Sequence, residues 1–475
     1  MSVAERFIDG RSWASAPRVA PDGAHVAVVV STTSLEENTT RSRVWIDGTP
    51  ITGGDHDGHP AWSPDGRWLA FTSRRGEKKG DSTLRVMPVA APGEARQICT
   101  MPDGLDDVAW SPDGRWLAFV SRTRDERYGQ PDVSWQSPRT IARFFSRENG
   151  EDRTFDRPAH VYVVAADGTG PPRDLTPDEF EHAGVSWLAD SSGIVTAAAR
   201  HPTWDLDRAR DLYVVSLDPD VERRCLSARD SQYSHPAVSP DGTTVAFLCA
   251  GTPALLPQNA WVGLLPVDAR GAPESAARRV SEGLDRNFES LLGAQAPVWI
   301  DDHTLVANAE NHGEQHLYRL RADASAPPMP LTSGPVTVTG FDAAGDTVAT
   351  TRTMVDRPAE LYVDDEQRTR VADAMAARCQ GWEKFSVPTT DGTGAIDAWI
   401  MRPTGFDPST TYPVLLNVHG GPFAQYGESF YDEAQMQAAA GFVVVLGNPR
   451  GSSGRDTDWG QAIVGPHHPI RPGSG

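Results

Sequence analysis

"AWSPDGRWLAF" at residues 61–71 recurs unchanged at residues 109–119, and its chemistry is that of a β-hairpin. Pro presets φ for the first turn position, Asp suits the second, Gly takes the position where φ turns positive, and apolar residues alternate on both sides. An unbroken internal copy invites a search for weaker ones. Aligned on the turn aspartate, they are "RVAPDGAHVAVV" (Asp22), the two strong copies (Asp65, Asp113), "SWLADSSGIVTA" (Asp190), "AVSPDGTTVAFL" (Asp241), "VWIDDHTLVANA" (Asp302) and "GFDAAGDTVATT" (Ala344), seven in all. Consecutive marks lie 43, 48, 77, 51, 61 and 42 residues apart. Five of the six intervals match the length of a four-stranded propeller blade in a WD40-like repeat, and the third carries an insertion.

A second strand signal follows each hairpin: "SRVWIDG", "TLRVMPV", "HVYVVAADG", "DLYVVSLD", "AWVGLLPVD", "HLYRLRAD" and "ELYVDDE". Every unit thus reads strand, turn, strand, loop, strand, loop, strand. One such sheet buries neither face by itself, whereas seven packed around an axis bury one another and leave only short edges. The expectation for residues 1–380 is an all-β, seven-bladed β-propeller.

The period also accounts for several tempting side chains. Trp62, Trp110, Trp187 and Trp299 share one register, as repeated packing positions do, so a base-stacking platform is the poorer account. His59 and His235 each precede Pro-Ala at equivalent points. His56 with His59, and His312 with His316, have metal-ligand spacing but no third ligand nearby, and they fall in predicted loops; no metal is expected. The insertion, residues 121–158, mixes Arg with acids in nearly equal number. It reads as a solvated excursion, or as a lid or inter-domain contact anchored by Phe144 and Phe145.

With a net charge of −20 and a pI near 5.0, the surface repels phosphate backbones and anionic lipid, which excludes nucleic acid as a partner. "MSVAERFIDGRSW" lacks a basic segment followed by an apolar one, and no apolar run approaches the ~18 residues of a membrane helix. The chain therefore reads as soluble and cytoplasmic, with no membrane partner. Cys99, Cys225, Cys249 and Cys379 lie far apart without CxxC spacing and read as free thiols in a reducing compartment. No cofactor is expected.

After residue 380 the pattern changes. "KFSVPTTDGTGAIDAWIMRP" is a long hairpin around Asp-Gly, and "TYPVLLNVHGGP" is a continuous apolar run, the signature of a strand buried on both faces. "ESFYDEAQMQAAAG" reads as a helix with Gly441 at C′, and "FVVVLGNPRGSSG" as a second buried strand ending in turn residues. Strand, helix, strand opens an α/β domain.

A seven-repeat propeller followed by this hairpin, by His419-Gly420-Gly421-Pro422 after a strand, by a helix and by Asn448-Pro449-Arg450-Gly451-Ser452 resembles the prolyl oligopeptidase family of serine peptidases. The turn is most similar to that of its acylaminoacyl-peptidase and dipeptidyl-peptidase-like branch. The resemblance implies that residues 381–475 are the N-terminal part of an α/β-hydrolase domain acting on peptide substrates. By motif position, the N–H of Gly421 would donate to an oxyanion, with His419, Gly420 and Pro422 shaping the turn. Two preorganised N–H groups stabilise the negative oxygen of a tetrahedral intermediate without reorganising. His419 also reads as a satisfied hydrogen-bonding residue at a strand end, and Arg450 as a brace for the turn after its strand.

The same resemblance implies a Gly-x-Ser-x-Gly elbow, an Asp and a His downstream, and none of this triad is present. "GSSGR" at 451–455 has Arg in place of the last Gly and follows the wrong strand, so Ser453 is rejected as nucleophile. His467 and His468 have no Ser elbow or orienting Asp beside them. The chain is therefore expected to stop inside the catalytic domain, to be inactive by itself, and to leave uncovered apolar faces on "VLLNV" and "FVVVL". The alternative is a TolB-like propeller serving as a non-catalytic protein-interaction module.

Overall fold

The computed structural model describes residues 2–74, 81–90, 93–122, 124–128, 133–144, 146–148, 152–251, 257–421 and 423–464. Phe145, Pro422, His467 and His468 lie outside the described residues. The chain divides into two compact units, one made of Asp57–Ala254 and Val262–Arg279, the other of Met1–His56, Leu255–Trp261 and Val280–Gly475. Among the described residues no helix is long and apolar enough to cross a membrane.

The first of these units is a succession of four-stranded antiparallel meanders. They begin at Asp57–Trp62, Asp106–Trp110, His182–Trp187 and Gln232–Val238, and the second strands (Trp68–Ser73, Trp116–Arg122, Gly193–Ala198, Thr244–Ala250) are buried along most of their length. The repeated turn closes on itself. Ser63 Oγ donates to Asp65 Oδ1 (2.6 Å) and accepts from Trp68 N (2.9 Å), while Asp65 Oδ1 accepts from Arg67 N (3.1 Å). Ser111, Asp113 and Arg115 repeat the pattern, as do Ser239, Asp241 and Thr243. These polar side chains satisfy local backbone groups, which is why the turn chemistry is visible in sequence.

The tryptophans pack between meanders and use their one donor there. Trp110 Nε1 donates to Ala61 O (3.0 Å), and Trp187 Nε1 donates to Ala109 O (3.2 Å), each reaching the residue just before the preceding Trp. Leu84, Leu117, Phe119 and Tyr162 form the apolar core between the first two meanders.

The placement of two histidines in loops is corrected. His59 lies within the strand Asp57–Trp62 and His316 within Glu314–Arg321. His59 (φ 48°) and His235 (φ 51°) sit where strand register shifts, as do Ala16 (φ 49°) and Asp107 (φ 53°), so the His-Pro step is a β-bulge rather than a break. Two ion pairs hold described residues of the insertion: within it Arg139 Nε donates to Asp156 Oδ2 (2.7 Å), and Arg157 pairs with Asp103 outside it (3.2 Å). Phe144 is exposed.

In the other unit, the meander starting at Ser12–Val19 packs against strands from the far end of the repeat region. Ala14 and Val28 contact Ala349 and Leu361, and Val19 N donates to Asp342 Oδ2 (2.7 Å). Two further meanders, from Val298–Asp301 to Met329–Pro330 and from Thr337–Ala344 to Glu366–Gln367, join through one parallel pairing of Gln315 with Thr337. Of these strands, β1 (Thr304–Asn311) and β2 (Glu314–Arg321) matter below, because their connecting turn abuts the last sheet.

That sheet contains β3 (Glu383–Pro388), β4 (Ala395–Met401), β5 (Val414–Asn417) and β6 (Val443–Asn448), in the spatial order β3-β4-β6-β5. Helix α1 (Asp432–Ala439) connects β5 to β6, which pair in parallel, and Gly441 (φ 97°) ends it in the left-handed conformation at C′. A short helix, α2 (Thr457–Gln461), follows β6.

The reading of the β5 run as a strand buried on both faces is corrected: one face is uncovered, the condition also expected for "VLLNV". Leu415 and Asn417 pair with Val444 and Leu446 on the face that α1 covers, where Ala434 and Ala438 pack on Trp399, Met401, Val444 and Leu446. The opposite face is open: Val414 is 62 % and Leu416 68 % exposed. Among the described residues β5 is one of the sheet's two edges, and no helix lies over its outer face.

Candidate oxyanion site

Three segments meet at the C-terminal ends of β5 and β6. After β5 come Val418, His419, Gly420 and Gly421; before α1 runs the stretch 423–431; after β6 runs Pro449 to Gly454. Parallel pairing brings the first and third together, since strands adjacent and parallel end on the same side.

Asn448 clamps the middle segment. Its Oδ1 accepts from Tyr426 N (2.8 Å) and its Nδ2 donates to Tyr426 O (2.8 Å), the pairing a neighbouring strand would otherwise supply. Ser453 N donates to Ala424 O (3.0 Å). Gly451 (φ 94°) is needed because a β-carbon there would meet Ile463, and its N–H donates to Trp459 O (3.0 Å).

His419 is held at both nitrogens. Nδ1 lies 2.8 Å from Gly420 O, Nε2 lies 3.0 Å from Ser452 Oγ, and the ring meets Tyr426 edge-to-face at 5.2 Å. Gly421 is exposed, and a β-carbon on it would sit 3.2 Å from the Phe423 amide. Phe423 has φ 68°, a strained value for a side chain of that size, at the point where the turn reverses toward α1. Pro422, expected to shape the same turn, lies outside the described residues.

Arg450, read as a brace for the turn after its strand, reaches from that turn to the β3–β4 hairpin. Its guanidinium pairs with Asp391 (2.7 Å) and contacts Thr393. Hydrogen bonds from Thr389, Arg450 and Thr393 hold the Asp391 carboxyl well below the usual range. Both Ser452 and Ser453 are 1 % exposed. What sequence reading missed is Ser452, set 33 residues from His419 and joined to it by sheet pairing; its signal was its place directly after Gly451 in the turn following β6.

The β1–β2 turn seats the post-β6 loop from below. His312 N donates to Gly454 O (2.7 Å), Gly313 N donates to Gln425 Oε1 (2.9 Å), and Glu428 N donates to Gly313 O (2.6 Å). His312 Nδ1 lies 2.9 Å from Asp397 Oδ2. Burial pushes Asp397 up, but the His312 hydrogen bond and the charges of His312, Lys384 and Arg455 outweigh it and hold the carboxyl below its ordinary value. Glu310, on β1, is 3 % exposed. Burial pushes it up to about 7, only partly offset by Ser453, by Asn287 Nδ2 (3.3 Å) and by the Gly454 amide.

Three of the histidines with metal-like spacing have carboxylate neighbours. His312 faces Asp397, whereas His316 turns to Thr332 Oγ1 (3.2 Å) and Glu314 Oε2 (2.9 Å), and His59 lies 3.9 Å from Asp106. Among the described residues no group of three or more metal-type side chains forms. Cys99 and Cys249 are buried, and Cys225 and Cys379 are partly so, all unpaired with one another; burial pushes the Cys99 thiol up to about 12.

Comparison with known proteins adds three likenesses. The chain is 27 % identical to an uncharacterized peptidase, YuxL, of Bacillus subtilis, over 94 % of this chain and 71 % of that protein. Its fold matches the acylaminoacyl peptidase of Pyrococcus horikoshii with a TM-score of 0.77 at 20 % identity, covering 97 % of this chain and 68 % of that one. It also matches the β-propeller domain of the Trilobed protease from Pyrococcus furiosus, with a TM-score of 0.55 at 16 % identity, over 77 % of this chain and 98 % of the domain. At those identities the two structural likenesses are likenesses of fold. No family model matches the sequence.

Proposed function

We propose that this chain, a member of the prolyl oligopeptidase family of serine peptidases, carries the gating propeller and the oxyanion turn of an enzyme that hydrolyses short peptides through an acyl-enzyme. The observation that carries the reading is the unit β5–turn–α1–β6, in which the exposed Gly421 follows the C-terminal end of β5, beside the parallel strand β6. Ligands of open α/β sheets bind at such strand ends, and an exposed backbone donor held by flanking hydrogen bonds is suited to a developing oxyanion.

In this reading residues 1–380 form a seven-bladed propeller and residues 381–475 belong to the hydrolase domain. Support comes from the four-stranded meanders in chain order among the described residues, seven when the eight-stranded sheet is taken as two, and from the packing of the Ser12–Val19 meander in one cluster with Ala349 and Leu361. The propeller would restrict entry to short or unfolded chains. Residues 1–475 hold no Gly-x-Ser-x-Gly, and in this reading they bind peptide without turning it over. That same absence favours the second reading, a propeller acting as a non-catalytic protein-interaction module.

The test is to isolate the native gene product, weigh it intact, and assay it against blocked and free short peptides. Hydrolysis by the native product, with none by residues 1–475, supports the first reading. A native product of 51.4 kDa without hydrolysis overturns it in favour of the second.

A further inference from the structure

His419 makes two hydrogen bonds whose directions are fixed by chemistry. A backbone carbonyl only accepts, so the 2.8 Å contact to Gly420 O requires a proton on Nδ1. In the neutral ring Nε2 is then an acceptor, and the 3.0 Å contact to Ser452 requires the hydroxyl to donate. Ser452 is 1 % exposed, so its hydroxyl proton has no bulk water to turn to.

The consequence passes through one planar group. In a trans peptide the C=O of Gly420 and the N–H of Gly421 point in opposite directions. A ring that holds the Gly420 carbonyl on its own side therefore turns the Gly421 N–H to the other side, away from the imidazole. Two consecutive glycines leave that peptide free to rotate unless something holds it. Tyr426, edge-to-face on the ring at 5.2 Å and itself clamped by Asn448, fixes where the ring lies.

We infer that Ser452 and His419 are positioning residues: the Gly420 carbonyl selects the Nδ1–H tautomer, Ser452 anchors the ring at Nε2 so that it stays on that carbonyl, and His419 so held locks the Gly420–Gly421 peptide with its N–H presented as a preformed donor to the substrate oxyanion. The inference rests on the peptidase reading for its purpose but not for its geometry. Neither residue touches substrate. Their effect belongs to kcat, because the donor is used as charge develops on the carbonyl oxygen.

The experiment has two arms. In the first, residues 1–475 are labelled with 15N-histidine, and the tautomer of His419, assigned by loss of its signals in His419→Gln, is read from long-range 1H–15N correlations. The expected result is a neutral ring protonated at Nδ1 in the wild type and in Ser452→Thr, giving way to a mixture of tautomers in Ser452→Ala. A ring protonated at Nε2 in the wild type, or one unchanged in Ser452→Ala, overturns the inference. If Ser452→Ala does not fold, the wild-type tautomer and Ser452→Thr decide alone. In the second arm, Ser452→Ala in the native gene product lowers kcat on the order of tenfold at unchanged KM, with recovery in Ser452→Thr. A change in KM alone contradicts the positioning role. A native product that hydrolyses nothing defeats the peptidase reading, and the tautomer arm still decides the geometry.

Discussion

The second strands of the meanders and the parallel pair β5–β6 have nearly the same composition and opposite surroundings. "LAFTS" in Trp68–Ser73 is buried throughout, whereas in β5 Val414 and Leu416 face outward at 62 % and 68 % exposure. Between the first two meanders of the unit that holds Trp68–Ser73, apolar residues of both sheets form one shared core. In the last sheet α1 covers one face only. An apolar run therefore reports that a strand can be buried, and the next element in space decides whether it is.

The sharpest way to break this contrast is to cut the same side chain on the two faces of the last sheet. Leu446→Ala, under α1 at 0 % exposure, should cost about 3 kcal/mol by chemical denaturation, whereas Leu416→Ala should stay within about 0.5 kcal/mol. Equal costs would mean that the open face is covered in solution.

A second comparison sets buried against exposed carboxylates. Glu310, raised from 4.5 to about 7, binds its proton more tightly folded than unfolded. Its stabilising contribution is therefore complete below about pH 4.5 and is lost as pH rises through about 7, a fall on the order of 3 kcal/mol. Thermal melts of wild type and Glu310→Gln across pH 4.5–8 should diverge, with the variant lacking this fall. Parallel curves would show that Glu310 is not buried as a proton carrier.

Smaller effects are expected in the turns. Ser111→Ala removes both a donor to Asp113 and an acceptor for Trp116 N, and should cost about 1–2 kcal/mol in the meander unit. The exposed Arg450–Asp391 pair lies at the bottom of the scale, and Arg450→Ala should leave the denaturation midpoint unchanged within error. A clear shift would show that the β3–β4 hairpin depends on that bridge.

What could be read in advance follows the range of the chemistry. The Ser-Pro-Asp-Gly turns were legible because Ser63, Asp65 and Arg67 satisfy one another within a few residues. The bulge at His59 was not, since a bulge exists only relative to the strand it pairs with. The open face of β5 was anticipated from missing cover, yet its run by itself reads as fully buried. At the candidate site, His419, Gly420 and Gly421 were legible as a motif. Ser452 was hidden because its partner lies across a β-α-β crossover, and Arg450 because its partner, Asp391, is in another hairpin.

The central claim is that the Gly421 turn serves a serine nucleophile. The most direct measurement is labelling of the native gene product with a serine-directed phosphonate, read by intact mass beside residues 1–475. The account predicts one adduct per chain on the native product and none on residues 1–475. A native product that takes no label would contradict it.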